Sequence, residues 1–191
     1  MTAETVSMNA LAKVAQQSVM VGTCTGTING TEPFDAGLVV LSKATYPLPH
    51  GEAHVMQATQ RGPAPDFKTK ELKVSFSVDK PCNSYGLFPD AYTVRVIYVD
   101  SSDSDKPIAY TQRQGVAKVA FHSQQSVFCG EVAVTLENLD EDTPKTVNLK
   151  FKFKAMPTPP QRRIHRRPSS GKTPRIEPGS QSGSESCSCS C

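Results

Sequence analysis

The strongest constraint on how this chain can fold is a strict alternation of apolar and polar residues in several separate segments. Residues 146–154 alternate without interruption, and so do residues 72–79 and 131–137. Because successive side chains of a strand point to opposite faces, a period of two predicts strands with one face on a core and one in water. The alternation therefore predicts an all-β chain.

Other segments extend this pattern along the chain. Residues 92–99 are largely apolar on both faces, which is typical of a central strand. The 15 prolines and 12 glycines favour short elements joined by many turns. Weaker strand signals cover residues 19–28, 37–44, 53–59, 108–113 and 115–121. We predict an antiparallel β-sandwich of about eight strands. The side chains expected in its core include Val74, Phe76, Val78, Val94, Val132, Val134, Leu136, Leu149, Phe151 and Phe153.

Composition divides the chain into three parts. Apolar residues recur at helical spacing after Ser7, a suitable N-cap, and predict a short N-terminal helical segment within residues 1–18. The β-sandwich domain is expected over residues 19–156. Residues 157–191 are rich in proline, serine and charge and hold too few apolar residues to form a core. We predict that this segment, the tail, is disordered.

The net charge of +3 conceals an uneven distribution. Residues 155–191 carry six cations and two anions, whereas the rest of the chain carries 15 cations and 16 anions. No secretory signal and no run long enough to span a membrane is recognisable, and the cysteines are scattered. These features predict a cytoplasmic protein that is not secreted and whose basic tail meets an anionic partner.

Enzymatic chemistry has no support in the sequence. Nucleophile elbows, phosphate-binding glycine loops and Cys-x-x-Cys pairs are all absent. His50 and His54 are four residues apart, but prolines and a glycine interrupt any helix, so we expect two exposed loop histidines rather than metal ligands. We therefore expect no catalytic residues and, calcium aside, no cofactor.

Acidic residues follow two of the predicted strands, at 100–105 and 140–142. They suit either a calcium site or ordinary solvated turns. Residues 72–76 and 86–96, together with the segment 132–142, resemble the calcium-and-phospholipid-binding domains of protein kinase C and synaptotagmin. The resemblance covers residues 72–142. It implies that Asp90, Asp140 and Asp142 are calcium ligands.

Cations form two clusters near the end of the chain. Lys150, Lys152 and Lys154 share the polar face of the last predicted strand, where they either bind an anion or guard the edge against aggregation. The tail then carries a compact group of arginines, which suits anionic lipid, nucleic acid or a nuclear address. These arginines are Arg162, Arg163, Arg166 and Arg167.

The tail also carries two kinds of modification signal. Ser169 and Ser170 follow the arginines as in a basophilic kinase site, and phosphate there would cancel much of the local charge. Cys187, Cys189 and Cys191 resemble the doubly prenylated ends of Rab GTPases and palmitoylated cysteine clusters. One lipid chain with a polybasic patch makes a stable two-signal anchor.

Two functions follow as hypotheses. The first is a non-enzymatic interaction module that associates with anionic membrane surfaces or protein partners through a basic, lipid-modified tail. The alternative is a coat-like capsid protein whose sandwich self-associates and whose basic tail binds nucleic acid.

Overall fold

The computed structural model describes residues 22–103, 105–139 and 145–157. Within these ranges the chain is all-β and antiparallel, as predicted, and contains no helix. The ten strands are β1 (Gly22–Ile28), β2 (Glu32–Asp35), β3 (Leu38–Thr45), β4 (Glu52–Arg61), β5 (Thr69–Ser77), β6 (Asn83–Leu87), β7 (Val94–Ser101), β8 (Ile108–His122), β9 (Val127–Asn138) and β10 (Lys145–Ala155). The predicted helix within residues 1–18 and the predicted disorder of the tail beyond residue 157 lie outside the described residues.

The strands form one continuous hydrogen-bonded sheet rather than two separate ones. Its order is β2-β1-β10-β9-β8-β7-β5-β4-β3, and β6 pairs with β8 off this path. The sheet curls so that its two sides approach: Val39 of β3 lies against Gly22 of β1, and Lys70 of β5 pairs with Glu32 of β2. The prediction of a two-sheet sandwich therefore gives way to a single curled sheet that encloses its own apolar face.

The core lies on the inner face of this curl. Nine of the ten predicted core side chains are buried there, and the rings of Phe76 and Phe153 both pack on Phe128, with centroids 6.0 and 4.9 Å away. Val78 is the exception, with 39 % of its surface exposed. The prediction for Val78 was wrong because β5 ends at Ser77, so the alternation continues past the strand that would bury it.

The strand count differs from the prediction for two reasons. Strands β2 and β6 are short and carry no clear alternation, so the pattern does not reveal them. The segments 108–113 and 115–121 form one strand, β8, whose register with β9 shifts between Gln112 and Gln114. Such a bulge inserts an extra residue without ending the strand, which makes one strand look like two in sequence.

The side of β8 away from β9 is shared by two strands. Residues 108–111 pair with β7, and residues 115–119 pair with β6. Between β6 and β7 the connection 88–93 leaves the sheet, so residues 112–114 of β8 have no paired strand on this side. The buried side-chain amide of Gln112 occupies this position. Its Oε1 accepts from the Val96 backbone N–H at 2.9 Å. Its Nε2 donates to the carbonyls of Phe88 at 2.6 Å and Ala91 at 3.1 Å. Gln112 therefore replaces the missing strand pairing and ties β8 to β7 and to the connection 88–93.

Candidate anion-binding face

Four neighbouring strands, β1, β10, β9 and β8, present a polar outer face on which lysines are aligned by register. Lys152 stands opposite Glu131, and Glu131 stands opposite Lys118, so one row crosses three strands. Threonines of β1 flank the lysines of β10 on the other side. We call this surface the cationic face; its polar members are Thr23, Thr25, Thr27, Lys118, Glu131, Lys150, Lys152 and Lys154.

Small residues leave the floor of this face low. Ala133 lies between Lys150 and Val116 in register, and Ala120 of β8 also lines this surface. Three adjoining open depressions of about 310, 480 and 510 Å³ follow from this floor and from the longer side chains around it. The lysine ammonium groups therefore stand above a shallow surface that is open to an external ligand.

The charge of the face is strongly positive. Lys152 Nζ lies 2.7 Å from Glu131 Oε1, and this hydrogen bond and ion pair lower the pKa of the Glu131 carboxyl, with further lowering by Lys118 and Lys150. Lys118, Lys150 and Lys154 make no ion pair with any described residue. Four ammonium groups thus face one carboxylate, and three of the four remain available to an anion.

The structure brings together only part of the predicted site. Lys150, Lys152 and Lys154 share one face as predicted, because β10 alternates without a bulge. Lys118 and Glu131 were missed: each alternates with buried residues in its own strand, but only the pairing of β8 with β9 reveals that they are neighbours. The predicted tail residues lie outside the described residues, namely Arg162, Arg163, Arg166, Arg167, Ser169, Ser170, Cys187, Cys189 and Cys191.

The predicted calcium ligands do not form a described site. Asp90 is exposed in the connection 88–93, and Asp140 and Asp142 lie outside the described residues. Within the described ranges no group of three or more histidine, cysteine, aspartate or glutamate side chains is arranged to hold a metal ion. Calcium binding by these residues stays a prediction.

The two histidines expected in exposed loops are both buried. His50 Nε2 lies 2.9 Å from Ser75 Oγ and its Nδ1 lies 3.1 Å from Ser77 Oγ, so the connection between β3 and β4 is fastened to β5. His54 lies on β4, where its ring stacks on Phe121 with centroids 3.4 Å apart. Burial lowers the pKa of both imidazoles. The prolines of this segment, which suggested an exposed loop, instead shape a turn that folds back on the sheet.

Comparison with known proteins adds no family to this description. No family model, curated protein or solved structure matches the chain. In the part of the chain that the structure describes, no helix has the length and apolar character needed to cross a membrane.

Proposed function

We propose that this protein is a non-enzymatic interaction module that associates with anionic membrane surfaces through its cationic face and its basic tail. The observation that carries the proposal is the register of β1, β10, β9 and β8, which gathers four lysines around one carboxylate on an open surface. Lysines that only protect a protein from aggregation are needed on edge strands, where they discourage pairing with another chain. These lysines instead lie on central strands, β10 and β8, each paired on both sides.

The tail supplies the second half of the proposal. β10 ends at Ala155, and the arginine cluster begins at Arg162. Seven residues of chain span at most about 25 Å and twelve at most about 43 Å, so the arginines from Arg162 to Arg167 are tethered within those distances of Ala155. A cation near an anionic leaflet contributes about 1 kcal/mol, and a lipid on Cys187, Cys189 or Cys191 would add the second signal of a stable anchor. Phosphate on Ser169 or Ser170 would weaken the attachment.

Vesicle sedimentation tests the cationic face directly. The unlipidated protein is mixed with vesicles of phosphatidylcholine alone or with phosphatidylserine, at low and physiological salt. We expect binding only to the anionic vesicles, and the triple variant of Lys150, Lys152 and Lys154 to Gln should lose about tenfold or more in partition. The matched control replaces Arg61, Lys68 and Lys106 by Gln, which removes the same charge from other surfaces and should change little.

Single-stranded RNA is the competing ligand in the same experiment. RNA binding that depends on the same lysines, with no binding to anionic vesicles and elution as a large assembly, would replace this proposal with the coat-like alternative. For the tail, Cys187, Cys189 and Cys191 are changed to Ser and cells are fractionated. A variant that distributes like the wild type would remove the lipid anchor from the proposal.

A further inference from the structure

At one end of the curled sheet, β10 ends and leads into the tail, and the connection between β3 and β4 lies beside it. β10 ends at Ala155, which stands opposite Phe128 in register, and Phe128 stands opposite Phe121. The His54 ring stacks on Phe121, so the connection 46–51 that leads into β4 lies at this same end. We call this the tail end.

Exposed apolar side chains stand at the tail end. Leu48, in the connection 46–51, has 89 % of its surface exposed, and Val78 and Met156 have 39 % and 36 %. The Val78 backbone N–H donates to the Glu52 carbonyl, which places Val78 beside that connection. Because His50 is buried and bonded to two serines of β5, Leu48 is presented on a fastened turn. The most exposed leucine of the described chain is therefore held outward by a buried anchor.

Charge distinguishes this end from the opposite one. The connection after β7 carries Asp103, Asp105 and Lys106, and the hairpin connection 62–68 carries Asp66 and Lys68. The chain that leaves β9 at Leu139 and returns at Lys145 has three further acidic residues in its sequence, 140–142. Counting Lys145, the three connections together hold six acidic residues and three lysines in sequence, so an anionic bilayer would repel that end. At the tail end the exposed carboxylates of Glu52 and Asp79 are matched by Lys80 and Lys154. The tail end instead leads through Lys154 into the six cations of residues 155–191.

We propose, on the basis of the proposed function, that the protein binds an anionic bilayer end-on. The tail end then faces the membrane, and Leu48 lies at the boundary between headgroups and acyl chains. Lys154 then lies nearest the headgroups, and Lys150 lies farther away along β10. Four residues of strand span about 13 Å, which exceeds the Debye length of about 8 Å at physiological salt. In this orientation the lysines contribute unequally, whereas a face-on orientation would make them equal.

Tryptophan fluorescence reports the orientation because the natural chain has no Trp. Leu48→Trp should show a blue-shifted emission and strong quenching when phosphatidylserine vesicles contain brominated lipid, since indole favours the membrane interface. Leu139→Trp, also at an exposed leucine but at the acidic end, is the matched control and should show neither. Leu48→Ser should lower the vesicle partition about tenfold, because burial of a leucine side chain is lost, and Leu139→Ser should not.

A pair of charge variants supplies the second readout. Neither Lys150 nor Lys154 has an ion pair among the described residues, so each substitution removes only a free charge. We expect Lys154→Gln to lower the partition about fivefold and Lys150→Gln by less than about twofold. Equal losses, together with unquenched Trp at position 48, would overturn the end-on orientation while the proposed function stands. Absence of any binding to anionic vesicles would overturn the proposed function itself.

Discussion

Replacing Gln112 by Leu should cost more stability than any other change of one polar side chain in β8. Gln112 is 1 % exposed, and its amide supplies three hydrogen bonds to main-chain groups on the side of β8 away from β9, where no strand pairs with this residue. Leucine has a similar volume, so the substitution adds little packing strain. The loss is therefore dominated by backbone groups that remain buried without partners.

The expected magnitude follows from where those groups lie. The Val96 N–H is buried within β7, and a buried donor without a partner costs about 1–3 kcal/mol. The carbonyls of Phe88 and Ala91 border an exposed connection, so water replaces part of their lost bonds. Together we expect a loss of about 3 kcal/mol in the free energy of unfolding. That is a large share of the roughly 5–15 kcal/mol that stabilises a typical domain.

Urea unfolding followed by far-ultraviolet circular dichroism measures this loss. With a urea dependence of about 2 kcal/mol per molar, the midpoint should fall by about 1.5 M. Gln114→Leu is the matched control, since Gln114 is exposed two residues further along the same strand, and it should stay within about 0.5 kcal/mol of the wild type. A Gln112→Leu protein within about 1 kcal/mol of the wild type would refute the role we assign to the amide.

Two further predictions follow from the electrostatics. Burial lowers the pKa of His50 and His54 in the folded state, so below about pH 6.5 the unfolded chain takes up protons first. The histidines should therefore leave stability constant between about pH 7 and 8 and lower it as the pH falls further, by at most about 1.4 kcal/mol per pH unit for each histidine. Urea titrations at pH 7.5 and 5.5 measure this, and His54→Leu should remove about half the dependence. Glu131→Gln removes the carboxylate beside Lys152, so partition onto phosphatidylserine vesicles should rise about twofold or more. An unchanged partition would show that Lys152 does not contribute.

The fold was predictable where alternation is regular. β10 alternates over its whole length, and its buried and exposed residues match the sequence pattern without exception from Val147 to Ala155. The curl was not predictable, because it depends on which edges approach each other. Contacts such as Val39 against Gly22 join strands that leave no shared pattern in the sequence. The burial of Gln112 could not be predicted for the same reason. A buried amide is favourable there only because the connection between β6 and β7 leaves main-chain groups that need hydrogen-bond partners.

The part of the candidate site that lies on one strand could be predicted from the sequence, and the part contributed by other strands could not. The stripe of Lys150, Lys152 and Lys154 follows from a period of two, which needs no knowledge of neighbours. Lys118 joins it only because β9 lies between β8 and β10 in register, and the bulge in β8 sets that register. Without the extra residue of this bulge, Lys118 would turn to the core face, since side chains alternate.

This dependence on register connects the buried amide to the exposed lysines. Gln112 lies at the point where β8 changes partner from β7 to β6, and residues 115–119 continue from that point with Lys118 facing outward. If the amide holds the register, then its loss should reduce anion binding as well as stability, even under conditions where the protein remains folded. The burial of Gln112 and the outward position of Lys118 therefore both follow from the bulge in β8. Neither can be explained without the strands that pair with β8.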